Sequence, residues 1–261
     1  MEFSRDCGLM IDKFTFFGLE YSNVDMDETV EIMEGYIRDG GPHTIMSTAV
    51  ELIVKSCRDE SLKGTYANTD ILTVDGTVGM WAARLLGHRV KSPVGTAKLM
   101  LRFLDVTQGK GYRCYFLGAK PEILENAVAN ARRQYPGCVI AGWHHGYFKD
   151  DAVVLEDVNR KKPDVVFVAM SSPMKERIIA QNGFAYHVPV VVGVGGGVDV
   201  LAGHTVLAPQ WISAMGMEWF FRLVQEPRRL WKRYLVTNSL FVMLMIRELF
   251  LRLFRQKNQG L

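Results

Sequence analysis

The chain has 261 residues, of which 48% are hydrophobic and 23% charged, and its formal net charge is +3. This composition is typical of a folded protein rather than a disordered one, and so small a charge does not predict nucleic-acid binding. The length allows one sizeable α/β domain, or a domain with a C-terminal appendage. The four cysteines form no Cys-x-x-Cys pair, and the apolar run at 14–19 is too short for a secretory leader, so we expect a cytoplasmic location.

Apolar segments of strand length alternate with segments of helical period through most of the chain, which predicts an α/β fold with a mostly parallel sheet. A first strand around Phe14–Tyr21 leads into a helix near Asp25, where Asp25 and Glu28 have the spacing of a capping box. The other strands are predicted at His43–Ala49, Ile71–Val74, Arg113–Leu117, Cys138–Ala141, Val165–Ala169 and Val190–Val194. The other helices are predicted at Val50–Arg58, Val78–Leu86 (ended by Gly87), Pro121–Tyr135, Ala152–Arg160 and Met174–Asn182.

The last fifth of the chain has a different character, and we place a domain boundary near residue 205. It is rich in Trp, Arg and long aliphatic residues, and its Arg and Lys residues outnumber Glu226 and Glu248. Leu235–Ile246 is strongly apolar but only twelve residues long, whereas a membrane-spanning helix needs about 20 apolar residues. We therefore expect a helix that lies in the membrane interface with its basic side chains toward anionic headgroups. A helix that covers the domain's own core, or a partner subunit, is the alternative.

Asp75 follows the predicted strand Ile71–Val74 directly, and Gly76 follows Asp75. Ligands of parallel α/β sheets bind beyond the carboxyl ends of the strands. A carboxylate in that place can accept a proton from an attacking hydroxyl, and the glycine permits close backbone approach. The same residue could instead cap the next helix.

A glycine-rich turn follows the last predicted strand. The dinucleotide fingerprint Gly-x-Gly-x-x-Gly fails there, because Val198 occupies the place of the third glycine. Gly195 and Gly196 could admit a nucleotide or form a purely structural turn. Asp199 could bond a ribose or a base, or cap a helix.

A basic cluster follows Pro227, where a helix is expected to restart. Arg229 and Arg233 are four residues apart on one face, and Arg228 and Lys232 lie on the next. Such a cluster suits a diphosphate, and a solvated or headgroup-facing helix is equally consistent with it. The sequence has no Asp-x-Asp pair to hold a divalent cation on a nucleotide-sugar, and the adjacent histidines at 144–145 point in different directions, so we predict no metal and no cofactor.

An ordered set of short motifs resembles the WecG/TagA/CpsF family of glycosyltransferases (glycosyltransferase family 26) from about Phe14 to Tyr234. These motifs are Val74-Asp75-Gly76, Phe116-Leu117-Gly118-Ala119, Tyr135-Pro136-Gly137, Gly146-Tyr147-Phe148, Pro163-Asp164, Ser172-Pro173-Met174-Lys175-Glu176, Val192-Gly193-Val194-Gly195-Gly196, Ala202-Gly203, Ala208-Pro209-Gln210-Trp211, Glu218-Trp219 with Arg222, and Glu226-Pro227-Arg228-Arg229.

The resemblance implies a Rossmann-like core at residues 1–205 and a membrane-docking helical appendage at 206–261. It implies an inverting transfer from a UDP-sugar to a polyprenyl-diphosphate-linked sugar, in exopolysaccharide or cell-surface glycan synthesis, at the cytoplasmic membrane face. Asp75 corresponds to the family's base and Thr48 to a residue that shapes the pocket. Arg222 and Arg229 correspond to arginines over the diphosphate, with Lys232 or Arg233 as a less certain match. On this resemblance the other residues expected to bind substrate are Gly76, Gly118, Tyr147, Lys175, Glu176, Gly195, Gly196, Asp199 and Arg228.

Three departures from the family pattern lie near the presumed sugar pocket. Val50 stands where relatives commonly have Asn, Lys175-Glu176 stands in place of Gln-Glu, and Ala97 lies where many relatives carry an acid. The donor is therefore left open between UDP-N-acetylmannosamine and UDP-glucose. A nicotinamide-dependent oxidoreductase and a non-catalytic membrane scaffold are the rival functions, and self-association through the apolar tail is possible.

Overall fold

The computed structural model describes residues 11–182 and 185–259. Within these ranges the strands are β1 (Lys13–Phe16), β2 (Leu19–Ser22), β3 (His43–Thr48), β4 (Ile71–Val74), β5 (Arg113–Gly118), β6 (Val139–His144), β7 (Val165–Ala169) and β8 (Val190–Gly193). The helices are α1 (Met26–Asp39), α2 (Val50–Ser56), α3 (Glu60–Ala67), α4 (Thr77–Leu85), α5 (Thr96–Val106), α6 (Pro121–Gln134), α7 (Asp151–Lys161), α8 (Met174–Asn182), α9 (Gly197–Leu201), α10 (Gln210–Ala214), α11 (Glu218–Gln225) and α12 (Pro227–Gln259).

The main sheet is parallel, with the strand order β4-β3-β8-β7-β5-β6. This confirms the predicted Rossmann-like α/β fold. Successive side chains of each strand enter opposite cores. Val166 and Val168 pack with the core formed mainly by α2, α3, α4, α7, α8 and α12, whereas Val165 and Phe167 pack with α1, α5, α6 and α9. Both faces of the sheet are therefore covered, as parallel sheets require.

The predicted first strand is a hairpin. Phe17 and Gly18 both have positive φ angles, 50° and 74°, so the chain turns back after β1 and pairs β2 antiparallel to it. Two consecutive residues of positive φ are typical of the tight turns that join such strands. The single-strand prediction for Phe14–Tyr21 was wrong because phenylalanine is an unusual residue at such a turn.

Several local predictions are confirmed. Asp25 and Glu28 form the reciprocal hydrogen bonds of a capping box at the start of α1. Gly87 follows α4 with a φ of 81°, and Pro121 is at the start of α6. The helix predicted at Val50–Arg58 ends at Ser56, and α3 and α5 were not predicted.

The helix α12 is much longer than its apolar segment suggested. Pro227–Arg252 is long and apolar enough to cross a membrane by length and composition, which differs from our expectation for Leu235–Ile246. One side of α12 nevertheless packs on the domain, because Leu230, Phe241 and Met245 are buried. The Phe241 ring lies 5.9 Å from that of Phe17. One side of α12 therefore contacts the core while the other side is exposed, so the membrane-interface expectation stays a prediction.

Candidate active site

The carboxyl edge of the sheet brings several of the predicted site residues together. Thr48 ends β3, Asp75 follows β4, and the turn at Gly195 and Gly196 follows β8. Since β3 lies between β4 and β8, these three positions are neighbours along the edge. The parallel topology alone brings together residues that are more than a hundred positions apart in the sequence.

Asp75 is held by backbone contacts on both sides. Its N–H donates to the carbonyl of Thr48 at 3.0 Å, and the Val94 N–H donates to the Val74 carbonyl at 2.9 Å. The carboxylate lies directly against Gly95, where a Cβ atom would be only 2.3 Å from its Oδ1. Among the described residues no side chain or backbone N–H donates a hydrogen bond to this carboxylate, so its oxygens keep their full capacity to accept one.

The charges around Asp75 act in both directions on its pKa. Burial raises the pKa of this carboxyl, and the nearby Glu218 carboxylate raises it further. Lys98, Arg222 and Lys175 act against this rise, because each cation favours the ionised form. The net shift is upward. A carboxylate with a raised pKa is a better proton acceptor, which suits a general base.

The segment that carries α10 and α11 packs over this edge through three contacts. The Thr77 hydroxyl donates to the carbonyl of Ser213 at 2.6 Å. Gly216 lies against the Trp81 ring, where a Cβ atom would be 2.8 Å from the ring. Lys98 forms an ion pair with Glu218 at 3.1 Å. The first turn of α11 therefore contributes directly to the surroundings of Asp75.

Arg222 is one helical turn after Glu218 and reaches the glycine-rich turn. Its Nη2 atom is 3.7 Å from where a Cβ atom of Gly196 would lie. The start of the turn is held in place by Thr96, whose hydroxyl donates to the carbonyl of Gly193 at 2.7 Å. Gly195 has a φ of 53°, a conformation that glycine adopts without strain. An exposed, side-chain-free backbone beside a guanidinium is a suitable place for a phosphate group.

Asp199 lies in α9, immediately after this turn. Burial raises the pKa of the Asp199 carboxyl, while His204 and Arg229 lower it. Arg229 is also paired with Glu226. Asp199, Arg229 and Glu226 therefore lie beside the glycine-rich turn, where α11 meets α12.

Three predicted residues have buried side chains beneath the edge. Thr48 is fully buried, and its hydroxyl is within 2.8 Å of the Tyr21 hydroxyl. Lys175 and Glu176 are buried and form an ion pair at 3.3 Å, and the Tyr66 hydroxyl donates to Glu176 at 2.8 Å. The second oxygen of Glu176, Oε2, has no hydrogen-bond partner among the described residues. These side chains support the strand tips, and Lys175 also supplies positive charge near Asp75.

The other predicted residues lie away from Asp75. Gly118 is on β5, four strands from β4, which corresponds to about 19 Å. A Cβ atom at Gly118 would be 2.2 Å from the Ala169 carbonyl, so the glycine permits close packing of neighbouring strands. Tyr147 follows β6 and is 68% exposed. Arg233 pairs with Glu51 at 3.2 Å, while Arg228 is exposed and makes no ion pair with a described residue.

Two residues of the site, Lys98 and Glu218, were absent from the predicted set. Their ion pair joins positions that are 120 residues apart, and neither residue has a local pattern that marks it. The Glu218-Trp219 motif was noted only as part of the family resemblance. Among the described residues there is no group of three or more His, Cys, Asp or Glu side chains that could hold a metal ion.

Comparison with known proteins adds a family and several relatives. Residues 14–255 match the family model described as "Glycosyl transferase WecG/TagA/CpsF family". The chain is 28% identical over 222 residues to an N-acetylglucosaminyldiphosphoundecaprenol N-acetyl-beta-D-mannosaminyltransferase of Bacillus subtilis strain 168, covering 85% of this chain and 86% of the relative. It is 26% identical over 228 residues to a Staphylococcus aureus MW2 protein with the same name, again covering 85% and 86%.

Proposed function

We propose that this chain, which belongs to the WecG/TagA/CpsF family of glycosyl transferases, moves a hexose or N-acetylhexosamine from a UDP-sugar to a polyprenyl-diphosphate-linked sugar, with inversion at the anomeric carbon. The Bacillus and Staphylococcus relatives are named for transfer of N-acetylmannosamine to an undecaprenyl-diphosphate-linked N-acetylglucosamine. The observation that carries the proposal is Asp75, a carboxylate at a strand tip that accepts no hydrogen bond from a described residue and has cations facing it.

In this proposal Asp75 is the general base. The acceptor hydroxyl attacks the anomeric carbon from the face opposite UDP, and the carboxylate takes its proton. A new C–O bond forms as the bond to the UDP oxygen breaks, and UDP leaves with the electron pair. Burial supports this role, since the raised pKa of Asp75 strengthens the base.

Arg222 is the residue best placed to stabilise the departing diphosphate. Its Nη2 lies beside the bare backbone of Gly196, and its charge acts on the Asp75 carboxyl. Two unit charges 4 Å apart attract by about 4 kcal/mol at an effective dielectric constant of about 20. Removal of one preorganised donor of this kind typically lowers the rate by about 10²–10³-fold. The loss of this one guanidinium should therefore lower the rate of turnover substantially.

We place the enzyme on the cytoplasmic membrane face, as a peripheral protein. A polyprenyl acceptor resides in the bilayer, so the enzyme must work at its surface. The side of α12 that does not pack on the core exposes apolar residues, namely Trp231, Leu235, Val242, Ile246 and Phe250. An exposed apolar face of this kind is typical of helices that lie in the membrane interface.

The test is radiolabelled transfer from a panel of donors, including UDP-N-acetylmannosamine and UDP-glucose, to synthetic polyprenyl-diphosphate-linked N-acetylglucosamine or glucose. We expect one donor to support turnover, and Asp75→Asn to fold and bind UDP while its rate falls about 10²–10⁴-fold. NMR of the product would establish the anomeric configuration. A wild-type rate for Asp75→Asn would remove Asp75 as the base, and a lack of transfer from every donor would contradict the proposed reaction.

A further inference from the structure

A cavity lies at the opposite edge of the sheet from Asp75. It has a volume of about 850 Å³ and lies between the hairpin turn of β1 and β2, the C-terminal ends of α2 and α4, and the second half of α12. Both α2 and α4 begin at the carboxyl ends of their strands and run back toward the amino ends, which places this cavity far from the base. The mechanism proposed above uses none of the residues that line it.

The cavity is strongly basic. Arg58, Lys63, Arg247 and Arg252 line it, against the single acidic side chain of Glu248. Lys63 reaches the hairpin turn, where its Nζ is 3.4 Å from where a Cβ atom of Gly18 would lie. Across the described parts of the chain, none of these four cations has a carboxylate within ion-pair distance. Their charges are therefore available to an anion.

Arg252 retains its charge although it has a partner. Its Nη2 atom lies 2.7 Å from Nε2 of His88. Burial and the neighbouring guanidinium both lower the pKa of His88, so the imidazole is neutral and accepts the hydrogen bond. A neutral acceptor orients the guanidinium without cancelling its charge.

One wall of the same cavity is apolar. Leu240, Met243, Leu244 and Leu251 line it from α12, and Met243 and Leu251 are 65% and 41% exposed. Met243 is adjacent to Val242, which belongs to the exposed apolar side of the helix. The cavity therefore opens beside the surface that the proposed function places against the membrane. A cavity that combines cations with an apolar wall beside such a surface suits an amphiphile with an anionic headgroup.

We propose that this cavity binds the headgroup of an anionic phospholipid, with the phosphate among Arg58, Lys63 and Arg247 and the acyl chains leaving past Met243 and Leu251. A soluble anion would use the cations but not the apolar wall. The cavity is separate from the proposed diphosphate site beside Arg222 and Gly196, which lies near the other end of α12. It adds a specific lipid to the membrane association of the proposed function, and it is tested by binding without turnover, so the two proposals can fail separately.

The experiment measures binding of the full chain to phosphatidylcholine vesicles with and without phosphatidylglycerol. Each basic residue near an anionic surface contributes about a fivefold change in partition, so Arg58→Gln with Lys63→Gln should lower binding to the mixed vesicles about thirtyfold. Arg247→Gln alone, on the opposite wall, should lower it about fivefold. Binding to pure phosphatidylcholine should not change, because the apolar side of α12 is intact.

The matched control is Arg38→Gln with Arg133→Gln, which removes the same charge from exposed positions on α1 and α6, over the other face of the sheet. We expect it to retain binding to the mixed vesicles to within a few fold, since charges beyond about 10 Å are screened. Equal losses in the control and the cavity variant would show a general charge effect and overturn the site. An unchanged cavity variant would also overturn it, as would displacement of the protein from mixed vesicles by inorganic phosphate alone at constant ionic strength.

Discussion

Gly95→Ala gives a direct test of whether the position of Asp75 determines turnover. The backbone of Gly95 has φ −86° and ψ 128°, which alanine adopts without strain. The added Cβ atom, however, would lie 2.3 Å from Oδ1 and 2.9 Å from Cγ of Asp75. Ordinary contact begins near 3.4 Å, so the carboxylate must retreat by about 1.1 Å.

A displacement of about 1 Å in a reacting group can lower the rate about hundredfold, which corresponds to about 2.7 kcal/mol in the barrier. We expect kcat to fall by this factor while the KM for the UDP-sugar changes little, because the glycine-rich turn and Arg222 are not displaced. The assay is radiolabelled sugar transfer with kcat and KM determined separately, and thermal unfolding verifies the fold. Gly64→Ala is the control, since no atom lies within 4 Å of its added Cβ. A folded Gly95→Ala protein with the wild-type kcat would refute the assignment of the base.

Three further predictions concern charge and packing. Burial and the neighbouring Glu218 carboxylate raise the pKa of Asp75, and Lys98 is the foremost cation lowering it. Lys98→Gln should therefore move the acidic limb of the kcat/KM profile to higher pH, whereas Lys98→Arg should not. Arg222→Gln should lower kcat, measured as UDP release, about 10²–10³-fold, and Arg38→Gln, at the exposed C-terminal end of α1, should leave kcat unchanged. Phe241→Ala should lower the free energy of unfolding by about 3–5 kcal/mol in denaturant titrations, while Val242→Ala, which is 55% exposed, should change it by less than about 0.5 kcal/mol. Equal effects of the last two variants would contradict the packing of α12 on the core.

The sequence predicts best where the physical signal is local. The strands at Ile71–Val74 and Val165–Ala169 and the helix at Met174–Asn182 have the predicted bounds, because each apolar segment is bordered by Asp or Pro. The place of Asp75 follows from the same kind of signal. A buried strand, an acidic residue and a glycine in succession are enough to put a carboxylate at the edge of a parallel sheet.

The parts that were missed depend on distant contacts. The start of α5 is held by a hydrogen bond between the Ser47 and Thr96 hydroxyls, which are 3.0 Å apart. No local sequence pattern predicts this contact. The ion pair of Lys98 with Glu218 exists only because α11 folds back over β4. The length of α12 was also underestimated from the short apolar segment Leu235–Ile246. The helix continues through its charged residues because one of its sides is packed on the core.

The helix α12 gives a physical reason for the two proposed sites to act together. Its 33 residues span about 50 Å, so one rigid element extends from the end of α11 to the basic cavity. Side chains along its length fix it to the core, with Leu230 near one end and Phe241 and Met245 farther on. An anionic lipid bound among Arg58, Lys63 and Arg247 stabilises that docked position by mass action, because the cavity has α12 as one wall. The same docked position keeps α11 over the strand tips, with Arg222 beside the glycine-rich turn. We therefore expect lipid binding at one end of α12 to favour the proposed catalytic arrangement at the other, and the enzyme to be most active where its proposed acceptor resides.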